Sequence, residues 1–104
     1  MKKVLGQVNP AATTLTDFYT VPVGKSAVVS TLMVCNQGAN ATLRVSVAVG
    51  GAADNAKQYI YYDVVIESAD TLAATVGLTL DAGDVVRAWA SSTNLSFSLF
   101  GSET

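Results

Sequence analysis

The chain has 104 residues, enough for one hydrophobic core and a single domain spanning residues 1–104. Charged residues make up 13% of it, about half the roughly 25% of an average soluble domain, and the net charge is only −2. So weak a field excludes the basic footprint of a nucleic-acid binder, and no segment approaches the ~20 apolar residues of a membrane helix.

Hydrophobic residues make up 50% and are mostly small or β-branched, which favours strands over helices. Low charge also gives little protection against association. Part of the surface is therefore expected to be covered by other protein. The opening "MKKVLGQVNP" lacks an apolar stretch of signal-peptide length before Asn9 and Pro10, so the expectation is synthesis in a cytoplasm without secretory export.

Next comes "FYTVPVGKSAVV", Phe18 to Val29, with one lysine, no carboxylate and apolar residues on both sides of a turn. Pro22 suits the second position of a type I turn and Gly24 the fourth. In "SAVVSTLMVCN", Ala27, Val29, Thr31, Met33 and Cys35 alternate with Val28, Ser30, Leu32 and Val34. Both sets are predominantly apolar. Such a strand is either central and covered by its own chain or part of a subunit interface. The interface is preferred, with Leu32 and Val34 on the core side and Thr31 and Met33 on the second apolar face. Cys35 is the single cysteine, so it forms no internal disulfide, and it reads as a small buried hydrophobe.

Period-two alternation continues through the rest of the chain. In "LRVSVAV", Leu43, Val45, Val47 and Val49 face one way, and Arg44, Ser46 and Ala48 the other. "GGAADNA", Gly50 to Ala56, is the longest flexible candidate. In "QYIYYDVVIE", Ile60, Tyr62, Val64 and Ile66 form one face; Tyr59, Tyr61, Asp63 and Glu67 lie opposite, joined by Val65. "SADTLAATVG" offers Asp70 as a helix cap, but Gly77 and the threonines favour a strand with Leu72, Ala74, Val76, Leu78 and Leu80 inside. "NQGAN" offers Gly38 and "DAGD" Gly83 for a turn with positive φ, and "LSFSLF" puts Leu95, Phe97 and Leu99 inside. About seven or eight strands at this spacing predict an all-β, antiparallel sandwich of small jelly-roll type.

Little in the sequence points to catalysis. With no histidine, the Ser–His–Asp and Cys–His arrangements and the usual zinc ligands are missing. Gly50-Gly51 lacks the Lys-Ser/Thr that follows in a phosphate loop. Asp63 and Glu67 would stand roughly 13 Å apart along one strand at ~3.3 Å per residue, too far for a retaining-glycosidase pair. Asp81 and Asp84 bracket a turn, and turn chemistry accounts for them more simply than calcium does. The expectation is a non-enzyme without cofactors or metals. Tyr59, Tyr61 and Trp89 are residue types that stack on sugars, but no cluster of Asn, Asp and Gln accompanies them to grip hydroxyls. Tyr, Trp and Arg are also enriched at protein interfaces. Arg87 is expected either over the Trp89 ring or paired with a carboxylate across a subunit boundary. Sequons at Asn40 and Asn94 carry no weight without an export signal.

"FYTVPVGKSAVVSTLMVCNQGANATLRVSVAV" and "YIYYDVVIESADTLAATVGLTLDAGDVVRAWASSTNLSFSLFGSE" together resemble small virion proteins of tailed bacteriophages. Those carry a Leu/Phe-Tyr-Thr-Val-Pro-x-Gly-Lys segment, a Val-Cys-Asn segment and a closing Leu-Ser-Phe-x-Leu-Phe-Gly. The likeness runs from about Gln7 to Glu103 and transfers no active-site residues. It implies a β-sandwich in the virion, assembled in the host cytoplasm, packing against itself as a homotrimer and against other virion proteins such as the major capsid protein. A head decoration or cement role is expected first, then a collar, tail or fibre-attachment component, then a carbohydrate- or receptor-binding module. The candidate interface comprises Phe18, Tyr19, Val29, Thr31, Met33, Tyr59, Tyr61, Arg87 and Trp89.

Overall fold

The computed structural model describes residues 2–104. Eight strands follow one another: β1 (Lys2–Val8), β2 (Thr16–Thr20), β3 (Ala27–Asn36), β4 (Ala41–Ala48), β5 (Tyr59–Ile66), β6 (Thr71–Leu80), β7 (Val85–Ala90) and β8 (Leu95–Glu103). Two single 3-10 turns, Val49–Gly51 and Ala56–Gln58, lie between β4 and β5. The strands form two antiparallel four-stranded sheets, ordered β1-β8-β3-β6 and β2-β7-β4-β5. This is the jelly-roll order, in which each connection from β1 to β4 and from β5 to β8 crosses between sheets. The fold predicted from alternation is the one observed.

Between the sheets lies one core, led by Phe97, Leu32, Leu43, Leu95, Leu99, Val21, Val29, Val34, Val45 and Val86. Phe18 of β2 meets Phe97 of β8 edge to face, with ring centroids 5.9 Å apart, an arrangement aromatic quadrupoles favour. In β6 and β8 the expected alternation holds throughout: Leu72, Ala74, Val76, Leu78 and Leu80 are less exposed than the residues between them, and Leu95, Phe97 and Leu99 are buried.

Elsewhere β-bulges reverse the alternation, because one extra residue sends every later side chain to the opposite face. In β3 the register shifts between Val29 and Thr31 against both neighbouring strands. Ala27 and Val29 therefore point inward before the bulge, and Leu32, Val34 and Asn36 after it. Val28, Thr31, Met33 and Cys35 share the outer side. Cys35 is exposed, contrary to the expectation of a buried thiol. In β5, Leu43 pairs with Val64 and Val45 with Tyr61, so Tyr62 and Asp63 together oppose Arg44. Asp63 adopts φ 54°, the left-handed conformation that makes room for the extra residue. As a result Tyr61 packs toward the core and Tyr62 points out, the reverse of the sequence expectation.

Three of the residues expected at an interface are instead part of the chain's own core. Phe18, Tyr19 and Val29 are buried. A register shift between Asp17 and Tyr19 in β2 lets consecutive aromatic residues both be covered. Tyr61 is partly buried against the same core. The turn after β2 is displaced by one residue from the expected position. Lys25 N–H donates to the Pro22 carbonyl at 3.1 Å, and Gly24 takes φ 77° at the third position, the mark of a type II turn. Gly83 has φ 87°, the positive value expected of it, whereas Gly38 keeps an ordinary φ, contrary to expectation. Val49, expected to face inward with Val47, is 76% exposed because the chain turns at that residue.

The two sheets are also tied at the end where the chain finishes. Tyr19 Oη donates to Glu103 Oε2 at 2.5 Å, and Lys3 Nζ lies 3.0 Å from Glu103 Oε1. The Tyr19 hydrogen bond and then the Lys3 contact hold the Glu103 carboxyl below its ordinary value of 4.5. Burial first, and then the hydrogen bond to Glu103, raise the Tyr19 phenol. Near and below pH 4.5 the unfolded chain therefore binds more protons at this glutamate than the folded one, and stability contributed here is lost as pH falls through the folded value. Glu103→Gln should leave less of this acid-side decline. Melting temperatures of both proteins between about pH 6 and pH 3 will converge on acidification if the bridge works this way; a constant gap would contradict it.

Candidate functional site

The outer faces of the two sheets differ sharply in chemistry. On the β2-β7-β4-β5 sheet, Trp89 of β7 is paired in register with Arg44 of β4, and the β5 bulge places Tyr62 on the other side of Arg44. The Arg44 guanidinium carbon lies 4.1 Å from the Trp89 ring centroid and 4.2 Å from that of Tyr62, so the cation sits against two aromatic faces. Arg44 Nε also donates to Asp63 Oδ1 at 2.6 Å, and Nη2 approaches Oδ2 at 3.4 Å. That hydrogen bond raises the guanidinium further above its already high ordinary value. The bulge that turns Tyr62 outward thus also supplies the counter-ion.

Beside this row the β4–β5 segment folds back over the sheet. Asn55 Oδ1 accepts from Lys57 N–H at 3.2 Å and caps the second 3-10 turn. Gln58 Nε2 donates to the Ala53 carbonyl at 2.8 Å. Arg87 Nη1 and Nη2 donate to the carbonyls of Ala52 and Gly51 at 2.9 and 3.3 Å, and its Nε to Asp17 at 3.1 Å. Arg87 is thus a clamp within the chain, and the cation over Trp89 is Arg44. Ser46 and Ala48, on the outer side of β4 as expected, are buried where this segment crosses.

Between segment and sheet an open cleft of about 560 Å³ is lined by Arg44, Asp54, Asn55, Ala56, Tyr59 and Tyr62. Tyr59 and Tyr62 meet almost perpendicularly, at 85° with centroids 5.2 Å apart. Tyr59 Oη donates to Asp54 Oδ2 at 3.1 Å; partial burial and then this bond raise the phenol. Of the cleft residues only Tyr59 was anticipated. Arg44, Asp54, Asn55 and Tyr62 reach it through two features that no local pattern reveals, the β5 bulge and the fold-back of residues 49–58.

By contrast, the outer face of the β1-β8-β3-β6 sheet is almost free of charge. Cross-strand pairing aligns Gln7, Ser98, Met33 and Ala73 in one row, and Val4, Phe100, Thr31 and Thr75 in the next. Ser102, Val28 and Thr79 follow, with Lys2 at the β1 end. Val28 is 50% and Met33 38% exposed. Of the expected interface residues, then, Thr31 and Met33 lie on this face, while Tyr59, Arg87 and Trp89 lie on the other.

Of the remaining carboxylates, Asp70, Asp81 and Asp84 are engaged by the backbone. Asp84 accepts from Gly50 and Asp81 N–H groups, and Asp81 from Ala82 N–H, each at 2.9 Å. Among the described residues no three His, Cys, Asp or Glu side chains are grouped to hold a metal ion. Comparison with protein families, curated proteins and solved structures finds no match to this chain.

Proposed function

We propose that the protein is a non-enzymatic structural component of a tailed-bacteriophage virion, a head decoration or cement protein that packs as a homo-oligomer on the capsid. The observation that supports this reading is the outer face of the β1-β8-β3-β6 sheet, which carries no charge except Lys2 at its β1 end. Serine, threonine, alanine, valine and methionine side chains can be covered by protein without stranding a charge away from water. The resemblance of "FYTVPVGK", "VCN" and "LSFSLFG" to phage virion proteins is the ground for proposing virion proteins as its partners.

The face is modest in area. Strands of up to 10 residues at ~3.3 Å per residue, four abreast at ~4.8 Å, make a face of about 500–600 Å². A pair of such faces buries roughly 1,100 Å² in all, near the lower limit for a specific interface. Several weak contacts per subunit, as in a trimer seated on a capsid, would suit this area better than one isolated pairing.

Met33→Glu tests the face directly. The side chain points out, so the domain should keep its β-type circular dichroism and melting temperature while association and incorporation into particles are lost. A charge desolvated at an interface without a partner costs several kcal/mol. Leu32→Glu, one residue away but buried, should prevent folding altogether. Wild-type association of a folded Met33→Glu protein would overturn the use of this face. Copy number in purified particles separates the virion positions: copies in proportion to the capsid subunits support the head, and a small fixed number supports a collar or tail.

A further inference from the structure

We propose that the cleft between residues 54–56 and β5 binds a neutral saccharide. A sugar ring needs apolar surface for its C–H faces and paired donors and acceptors for its hydroxyls, and the cleft combines both. Tyr59 and Tyr62 form a right-angled aromatic corner, and Tyr62 is 59% exposed. Asp54 and Asn55 stand at its rim. Asp54 Oδ2 is engaged by Tyr59 and Asn55 Oδ1 by Lys57 N–H. Asp54 Oδ1, Asn55 Nδ2 and Arg44 Nη1 have no side-chain hydrogen bond among the described residues. They offer one acceptor and two donors beside an aromatic wall, a set that fits adjacent hydroxyl groups.

Charge narrows the ligand class. Arg44 is already matched by Asp63, and Asp54 adds a second carboxylate, which disfavours an anionic ligand. A cationic ligand would meet the Arg44 guanidinium in the same wall. A neutral polyhydroxyl compound avoids both conflicts. At about 560 Å³ the cleft falls within the usual range for small-molecule sites, about 300–1,000 Å³. Its rim is also pre-set. Asn55 caps its own turn, Gln58 holds the Ala53 carbonyl, and Arg87 holds those of Gly51 and Ala52. Little ordering remains to be done on binding. This surface lies on the sheet opposite Met33, so the inference stands apart from the oligomer reading.

The test titrates the folded full chain with neutral trisaccharides of glucose, galactose and N-acetylglucosamine, and with sialyllactose as the anionic arm. Backbone amide shifts locate the binding, and fluorescence of Trp89, the single tryptophan, reports it through Arg44. At least one neutral sugar should shift amides of residues 54–62 at millimolar concentration. Tyr62→Ala and Asp54→Ala should each weaken that binding about tenfold or more while leaving circular dichroism and melting unchanged. Silence across the neutral panel, binding only of sialyllactose, or undiminished binding by both variants would each overturn the proposal.

Discussion

Gly101→Ala should remove about 3 kcal/mol or more of stability and lower the urea midpoint of unfolding by about 1–3 M. Gly101 of β8 is paired with Val29 of β3 and Lys3 of β1 and is buried between them. A Cβ atom there would stand 2.1 Å from the Val28 carbonyl oxygen and 2.9 Å from the Val29 Cα. These are backbone atoms of the central strand, so no rotamer change relieves the clash. The β3 bulge begins immediately after Val29, beside this close approach. A domain of this size has only about 5–15 kcal/mol in total, so the loss is a large fraction of it. Gly24→Ala is the informative contrast. Its φ of 77° is strained for alanine, but nothing lies within 4 Å, and about 1 kcal/mol is expected. If the two variants unfold at the same urea concentration, close approach is not what requires glycine at 101.

Strand content and the jelly-roll class were legible because they rest on alternation, which single strands carry in full. β6 and β8 show this: every inward residue assigned from period two is on the inner side. The misassignments all lie beyond a bulge or a turn. Tyr61 and Tyr62 exchanged faces because Asp63 inserts into β5 in the left-handed conformation, and nothing in "YIYYDVV" distinguishes such a residue from an ordinary outward aspartate. Ala27 and Val29 share the core with Leu32 and Val34 for the same reason, a bulge in β3. The inward set changes phase at the bulge, and the outward side of the strand still carries Val28, Met33 and Cys35. Two of the apolar residues expected on the second face, Ala27 and Val29, are therefore internal. The outward set left for an interface is Val28, Thr31 and Met33.

The second sheet's site was the less legible one because its residues come from distant parts of the chain. Arg44, Trp89 and Tyr62 become neighbours only through the order β7-β4-β5. Asp54 and Asn55 sit in "GGAADNA", which composition marks as flexible. In the structure that segment is held by the hydrogen bond Asn55 accepts from Lys57 N–H and by those Gln58 and Arg87 donate. The sequence lacked an evident set of polar groups to accompany the tyrosines, and the fold-back supplies one. The usable signal was the pairing of outward positions: Arg44 and Trp89 each sit between inward residues, so adjacent strands would bring them together.

Asn36→Leu should cost about 2–4 kcal/mol, although the replacement is similar in size and apolar in a buried position. Asn36 ends β3 with only 1% of its surface exposed. Its Nδ2 donates to the carbonyls of Ala39, Ile66 and Glu67 at 2.9, 3.0 and 3.2 Å, and its Oδ1 accepts from Gly38 N–H at 3.0 Å. Its own N–H donates to the Asp70 carbonyl at 2.9 Å. One side chain therefore satisfies backbone groups from both the β3–β4 and β5–β6 connections, which a leucine would leave unpaired away from water. Asn36→Asp separates hydrogen bonding from packing. The carboxylate keeps the shape but accepts only, so its charge would face three carbonyl oxygens, and burial among them would push its carboxyl upward. The folded state would then bind the proton more tightly than the unfolded chain. Stability of this variant should be greatest below the unfolded aspartate value, about 3.9, and fall as pH rises. That slope is opposite to the one Glu103 gives the parent protein. Urea titrations of both variants at about pH 4 and pH 7 decide the matter. A leucine variant within about 1 kcal/mol of the parent, or an aspartate variant with the parent's pH dependence, would show that these loops do not depend on the Asn36 amide.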